Sequence, residues 1–303
     1  MKHFTDRVIE LTKRKRSCLI VGLDPRLELI PHPLKKRIQN IHKISQQNAS
    51  RIIYKFNKMV IDTIHTQIAG VKPQVAFYEK FGHWGIKAFW DTMAYAHKKG
   101  LLVIADVKRG DVPSTAQAYA EAYLTKDSPI DAITVNPLLG KDSLAPFINL
   151  AHVNGKGLFV LVKTSNPGSK DFQDLVLHNS KKYYAWVAQR INQWGNSLKG
   201  QKGYSLLGAV VGATFPQEAS QLRRILTNNI FLVPGYGAQG AQAQDLKACF
   251  KNDKTGALIN ASRSITYAYR KLSNQPKNDL KFYAITIKQA VIKANREINQ
   301  LIS

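Results

Sequence analysis

An α/β fold of the (β/α)8 TIM-barrel class, closed in a single domain, is what this sequence predicts, and three observations predict it. Eight short runs rich in branched apolar residues recur along 303 residues, amphipathic stretches separate them, and every run ends in polar or glycine-rich chemistry. The runs are Cys18–Leu23, Val71–Phe77, Leu101–Val107, Ala132–Val135, Leu158–Val162, Ala209–Gly212, Ile230–Val233 and Ala257–Ile259. They are continuously apolar rather than alternating. Strands buried on both faces read this way, as parallel strands covered by helices must be.

The connecting stretches supply the helices. Asn48–Ile64 places Ile52, Ile53, Phe56, Met59, Val60, Thr63 and Ile64 on one helical face, and Ala94–Lys99 is stopped by Gly100. Further helical stretches run over Ser114–Leu124, Lys181–Trp194, Pro216–Leu226 and Asp279–Ile298. Two connections are long. Pro25–Ser45 carries three prolines and the cluster Lys35-Lys36-Arg37, which predicts a loop and a short helix. Asn166–Ser180 is a polar excursion that reads either as part of a lid or as a surface insertion, and Gly195–Gly203 reads as a surface loop. No composition shift or constant-period repeat divides the chain, so residues 1–303 are expected to form one domain.

Composition narrows the function classes. With 44% apolar and 9% aromatic residues there is material for a large core, while the absence of a long apolar run excludes a membrane-spanning helix. Cys18 and Cys249 are far apart and belong to no CxxC pair, which argues against disulfides and thiolate metal sites and fits a reducing cytoplasm. The eight histidines include no helical metal spacing, and residues 1–21 hold no signal-peptide core. The run Lys13–Arg16 reads as a solvated helix end in preference to a localisation or nucleic-acid patch. A formal charge of +24 demands an explanation, whether nucleic acid, an anionic small molecule or surface habit.

Active sites of such barrels form where strands end. Those ends here are Asp24; Lys72; Asp106-Val107-Lys108 with Arg109-Gly110-Asp111; Asn136-Pro137; Lys163-Thr164-Ser165; Thr214; Pro234–Gly240; and Asn260-Ala261-Ser262-Arg263. On an extended strand Asp106 and Lys108 share a face, where burial requires a further partner such as Lys72, or a charged substrate. Spacing alone leaves a chemical role and a bland one, either a buried salt bridge or a loop in which these charges are solvated, equally open. The glycines of Pro234–Gly240 let backbone N–H groups approach an anion, and Arg263 on the adjacent strand adds a planar cation, so a phosphate ester is the natural guest. A tight turn is the alternative reading of the glycines. No GxGxxG serves as a strand-to-helix dinucleotide fingerprint, and GxxxxGK[ST] and GxSxG do not occur.

The segment Ala105-Asp106-Val107-Lys108-Arg109-Gly110-Asp111-Val112-Pro113-Ser114-Thr115 resembles the central signature of the orotidine 5'-phosphate decarboxylase family, in its longer bacterial subfamily. Supporting matches are Gly22-Leu23-Asp24-Pro25, Val71-Lys72-Pro73-Gln74 with Phe77-Tyr78-Glu79, Val135–Gly140, Thr164–Pro167, Val233–Gly240 and Ser262–Ile265, in order from about residue 20 to 265. The resemblance implies decarboxylation of orotidine 5'-monophosphate to uridine 5'-monophosphate (UMP) in pyrimidine nucleotide synthesis, with no metal or organic cofactor. It implies that Lys108 protonates C6 of the pyrimidine, that Asp106 lies against the departing carboxylate, and that Lys72 and Asp111 complete a Lys-Asp-Lys-Asp array. It also implies a homodimer in which Asp111 and Thr115 reach the neighbouring subunit's site. Asp24 would bind ribose hydroxyls, Ser165 the pyrimidine amide edge, and Gln239 and Arg263 the phosphate, with Pro234 beside the substrate. Magnesium-dependent sister enzymes on the same barrel need an acidic ligand on the second strand, where this chain has Lys72. No nucleic-acid-binding signature accompanies the charge, so the excess of lysine and arginine is read as a surface property able to steer an anionic nucleotide inward.

Overall fold

The computed structural model describes residues 2–302 apart from 37–39, 41–42, 238–241, 274 and 277. Eight strands, β1 (Leu19–Leu23), β2 (Gly70–Pro73), β3 (Leu102–Arg109), β4 (Ala132–Val135), β5 (Gly157–Lys163), β6 (Ser205–Val211), β7 (Asn229–Val233) and β8 (Ala257–Ala261), pair in sequence order and close into a barrel. Every pairing is parallel, including β8 back to β1. The helices are α1 (Phe4–Lys15), α2 (Gln46–Ile64), α3 (Ala76–Glu79), α4 (Gly82–Lys98), α5 (Pro113–Leu124), α6 (Lys141–Val153), α7 (Lys170–Gln173), α8 (Tyr183–Gly195), α9 (Pro216–Ile225), α10 (Arg263–Thr266) and α11 (Leu280–Ile302).

The predicted barrel and its eight strands are present, with several boundaries moved. The second strand ends at Pro73 rather than Phe77: proline has no N–H for the ladder, and Ala76–Glu79 turns into α3. The helix expected only over Ala94–Lys99 begins at Gly82, where Gly85 fits because a Cβ there would lie 1.9 Å from the Tyr78 carbonyl oxygen. The sixth strand starts at Ser205, four residues ahead of the predicted Ala209. Helix α6, with Pro146 inside it, had no sequence counterpart.

Helix α1 closes the N-terminal face. Phe4 packs edge-on against Phe159 at 5.9 Å between ring centroids. The Asp6 carboxylate accepts the backbone N–H groups of Gln201 and Lys202 at 3.0 and 2.7 Å, within the predicted surface loop. The basic run ends this helix, where cations complement the dipole, but Lys15 is half-buried, donates to the His65 carbonyl, and is lowered to about 8 by burial. Between β7 and β8 the described residues form a 3-10 helix over Ala243–Cys249 in place of an α-helix. Arg223 from α9 secures that gap, its guanidinium stacked 3.5 Å over Phe231 and donating to the carbonyls of Cys249, Leu226, Asn229 and Gly256. Both cysteines are free and buried, and burial pushes each thiol up to about 12. No helix among the described residues is long and apolar enough to cross a membrane.

Candidate active site

The C-terminal ends of the strands surround a cavity of about 580 Å³ lined by side chains from all eight barrel units. Asp106 sits near its floor, 7% exposed, and accepts from three donors: the Lys72 ammonium at 2.5 Å, the Lys108 ammonium at 2.6 Å and the Thr134 hydroxyl at 3.0 Å. The buried salt bridge anticipated from Asp106, Lys108 and Lys72 is thus present, and it faces the cavity.

Plain strand alternation does not produce this geometry. The register of β3 against β4 shifts between Ala105 and Arg109, and Lys108 adopts a left-handed backbone, φ +46°, that a side chain with a Cβ rarely takes. Its N–H donates to Thr134 Oγ1 at 2.9 Å. One threonine on β4 therefore pins both the bulge and the carboxylate beneath it. Beyond the bulge Arg109 turns away from the cavity toward Glu79 and Tyr123, at 3.1 and 3.3 Å.

The electrostatics follow from burial. Desolvation pushes the Asp106 carboxyl upward, but the Lys72 and Lys108 ammonium groups more than reverse this and hold it well below the usual carboxylate range. Burial likewise disfavours a charged Lys72, yet Asp106 and Asp24 together raise it above the ordinary lysine value. Both groups are consequently ionised at neutral pH.

Asp24, Lys72, Asp106, Lys108, Ser165, Pro234 and Arg263 all line the one cavity. Gln239 lies outside the described residues. Asp111 and Thr115 do not line it: Asp111 accepts its neighbour Val112's N–H at 2.8 Å, and Thr115 is exposed on the first turn of α5. A single chain therefore assembles three members of the expected four-residue array. The glycine loop after β7 packs on the start of α10. Gly237 has φ +78°, a left-handed conformation that glycine takes without strain, and a Cβ there would meet Ser264 Oγ at 3.0 Å. Tyr236 in the same loop donates to the Glu297 carboxylate of α11.

Sequence reasoning missed Thr134 and Arg26 as cavity residues and gave Asn260 only as part of the eighth strand's end. Thr134 was visible as the polar member of an otherwise apolar strand. Arg26 lies 5.4 Å over the Phe77 ring, and Asn260 is 7% exposed with its Oδ1 buried and unpartnered. With the triad's charges largely answering one another, Arg26 and Arg263 remain in the cavity wall to meet an anion. Among the described residues no group of three or more His, Cys, Asp or Glu is arranged to hold a metal ion.

Residues 17–274 match the profile described as the orotidine 5'-phosphate decarboxylase / HUMPS family. The chain belongs to this family. It is 41% identical over 280 residues to the orotidine 5'-phosphate decarboxylase of Caldicellulosiruptor saccharolyticus, covering 89% of this chain and 91% of that one. It is 38% identical over 295 residues to the enzyme so named from Clostridium novyi, covering 97% and 98%. Among solved structures, the OMP decarboxylase of Leishmania donovani superposes with a TM-score of 0.74 at 31% identity, over 99% of this chain and 98% of the other. Membership of the orotidine 5'-phosphate decarboxylase family makes this chain a carboxy-lyase, and the expected family and fold both hold.

Proposed function

We propose that this protein converts orotidine 5'-monophosphate to UMP in pyrimidine biosynthesis, with Lys108 delivering a proton to C6. The observation that carries the reading is the hydrogen-bonded Lys72–Asp106–Lys108 triad in a cavity that also holds Arg263 and the glycine loop. The sequence relatives named above support it.

The chemistry needs a fixed cation. When the bond from C6 to the carboxylate carbon breaks, CO₂ leaves and the electron pair stays on C6, in an orbital not conjugated with the ring. An ammonium held beside that carbon stabilises the developing charge and then donates a proton to it, forming the new C6–H bond. Lys108 has a 44% exposed side chain that reaches into the cavity, whereas Lys72 is almost fully enclosed, so Lys108 is the donor and Lys72 the buried partner that keeps Asp106 ionised. Asp106 lies against the departing carboxylate. Phosphate held by Arg263 and Gln239 is remote from the reacting carbon and supplies binding energy to order the array. Asp24 takes the ribose hydroxyls, Ser165 the amide edge of the base, and Pro234 the wall beside the nucleotide.

Asp111 and Thr115 complete the site of a second subunit in a homodimer. The exposed apolar side chains Val112, Leu138 and Leu139, at 54, 72 and 52%, lie on the adjoining loops after β3 and β4, and they favour that edge as the shared face. The direct test is turnover: the purified protein in excess chelator should convert orotidine 5'-monophosphate to UMP with release of CO₂. A folded protein that leaves the substrate intact contradicts the reading.

A further inference from the structure

Lys163 is the last residue of β5, and its side chain is wholly buried. It does not line the cavity and lies 4.7 Å from the Phe215 ring and 5.6 Å from the Tyr184 ring. A buried ammonium needs a counter-charge. Asp174 supplies it at 2.9 Å, and Lys182 approaches the same carboxylate oxygen at 3.7 Å. Asp174 belongs to the 166–180 excursion, so an ion pair ties that excursion to the strand end.

A second tie lies beside it. The Gln173 side chain accepts the Thr164 N–H at 2.9 Å and donates to Thr164 Oγ1 at 2.9 Å, while that hydroxyl donates to Asn166 Oδ1 at 2.7 Å. Strand β5 shifts register against β6 between Leu161 and Lys163, and Gly212 has room only for hydrogen where Ser165 passes, a Cβ there lying 2.9 Å from the Ser165 Cα. The turn at Thr164-Ser165 thus has one side set by Gly212 and the other by the excursion. Thr164, Ser165 and Asn166 all line the cavity.

We propose that Gln173 and the Lys163–Asp174 pair are positioning residues, latching the excursion to β5 so that Thr164 and Ser165 are held where the pyrimidine edge is read. This rests on the functional reading above. It assigns the excursion the role of a fixed wall under the base. The latch acts on the base and leaves the phosphate corner, formed by β7 and β8, alone.

Dissociation constants for UMP and for ribose 5-phosphate, which lacks the base, separate these contributions. Gln173→Ala should weaken UMP about tenfold, the size of one or two modest hydrogen bonds, and leave ribose 5-phosphate within about twofold. Gln173→Glu, which keeps the acceptor for the Thr164 N–H but loses the donor to the Thr164 hydroxyl, should recover part of the loss. The double variant Lys163→Met/Asp174→Leu removes both charges together and should show the same base-selective loss, which covers the case of a poorly folded Gln173→Ala. Equal weakening of both ligands, or unchanged UMP affinity, overturns the latch. A wild-type protein that binds ribose 5-phosphate and gains nothing from the base overturns the functional reading itself, and the latch with it.

Discussion

Asp106 decides the electrostatics of the site, because it is the shared counter-charge of two lysines, one of them buried. Its folded-state pKa is depressed, so its stabilising contribution is present above the unfolded value of about 4 and is lost as pH falls through the folded one. Lys72 is raised, so its contribution is complete below an unfolded value of about 10.4 and is lost as pH climbs through the folded one. These two groups therefore leave stability flat between about pH 5 and 9. Asp106→Asn reverses the sign for Lys72. With its nearest anion gone, burial dominates and the folded pKa falls below the unfolded one. The unfolded state then binds the extra proton, and stability rises with pH in the alkaline range. Thermal melts of Asp106→Asn across that range should show this slope, on top of a loss at neutral pH of roughly 3–5 kcal/mol for an orphaned buried charge. A flat profile with unchanged stability contradicts the assignment of Asp106 as the hub.

The strand end, rather than any single side chain, aims Lys108. The bulge in β3 gives a left-handed residue whose N–H is taken by Thr134 across on β4. Thr134→Val keeps the shape and removes the acceptor, leaving that N–H unpaired at a cost of about 1–3 kcal/mol. Its kcat should fall by more than its affinity for UMP, as steady-state kinetics with product inhibition will show; equal effects on both contradict the pinning role. This element also marks where sequence reasoning stops. Asp106, Lys108 and Lys72 were legible because a charged triplet at apolar strand ends needs a reason. The roles of Thr134 and Gln173 were not, since their partners lie 26 and 9 residues away and depend on register and loop path. In the fold, strands announced themselves by apolar runs, whereas α4 was hidden by its glycines and aromatic residues and α6 by Pro146. The run Val71–Phe77 was read as all strand although regular pairing ends at Pro73, with only a Gln74–Asp106 bridge beyond it before the chain turns into α3.

For the whole molecule, the charge of +24 has little to do with the reacting centre. Four cations and two carboxylates line the cavity, a small surplus beside a substrate of about three negative charges. Apart from buried ones such as Lys156 and Lys163, most of the remaining described lysines and arginines lie at the surface, where they steer anions generally. Assembly matters more. If a second subunit supplies Asp111 and Thr115, Lys108→Ala and Asp111→Ala chains, each inactive alone, should regain activity when mixed, because one of the two sites in a hybrid dimer is intact. Confirmed subunit exchange without recovered activity contradicts the shared site. The proposed role of Lys108 is to perform the chemistry without being needed to hold the nucleotide. Lys108→Ala retains a Cβ at the same left-handed position, so the backbone strain is unchanged. Turnover of orotidine 5'-monophosphate and binding of UMP, measured on that one variant, should show turnover reduced roughly a thousandfold or more with UMP affinity largely kept; turnover within about tenfold of the wild type would contradict the account.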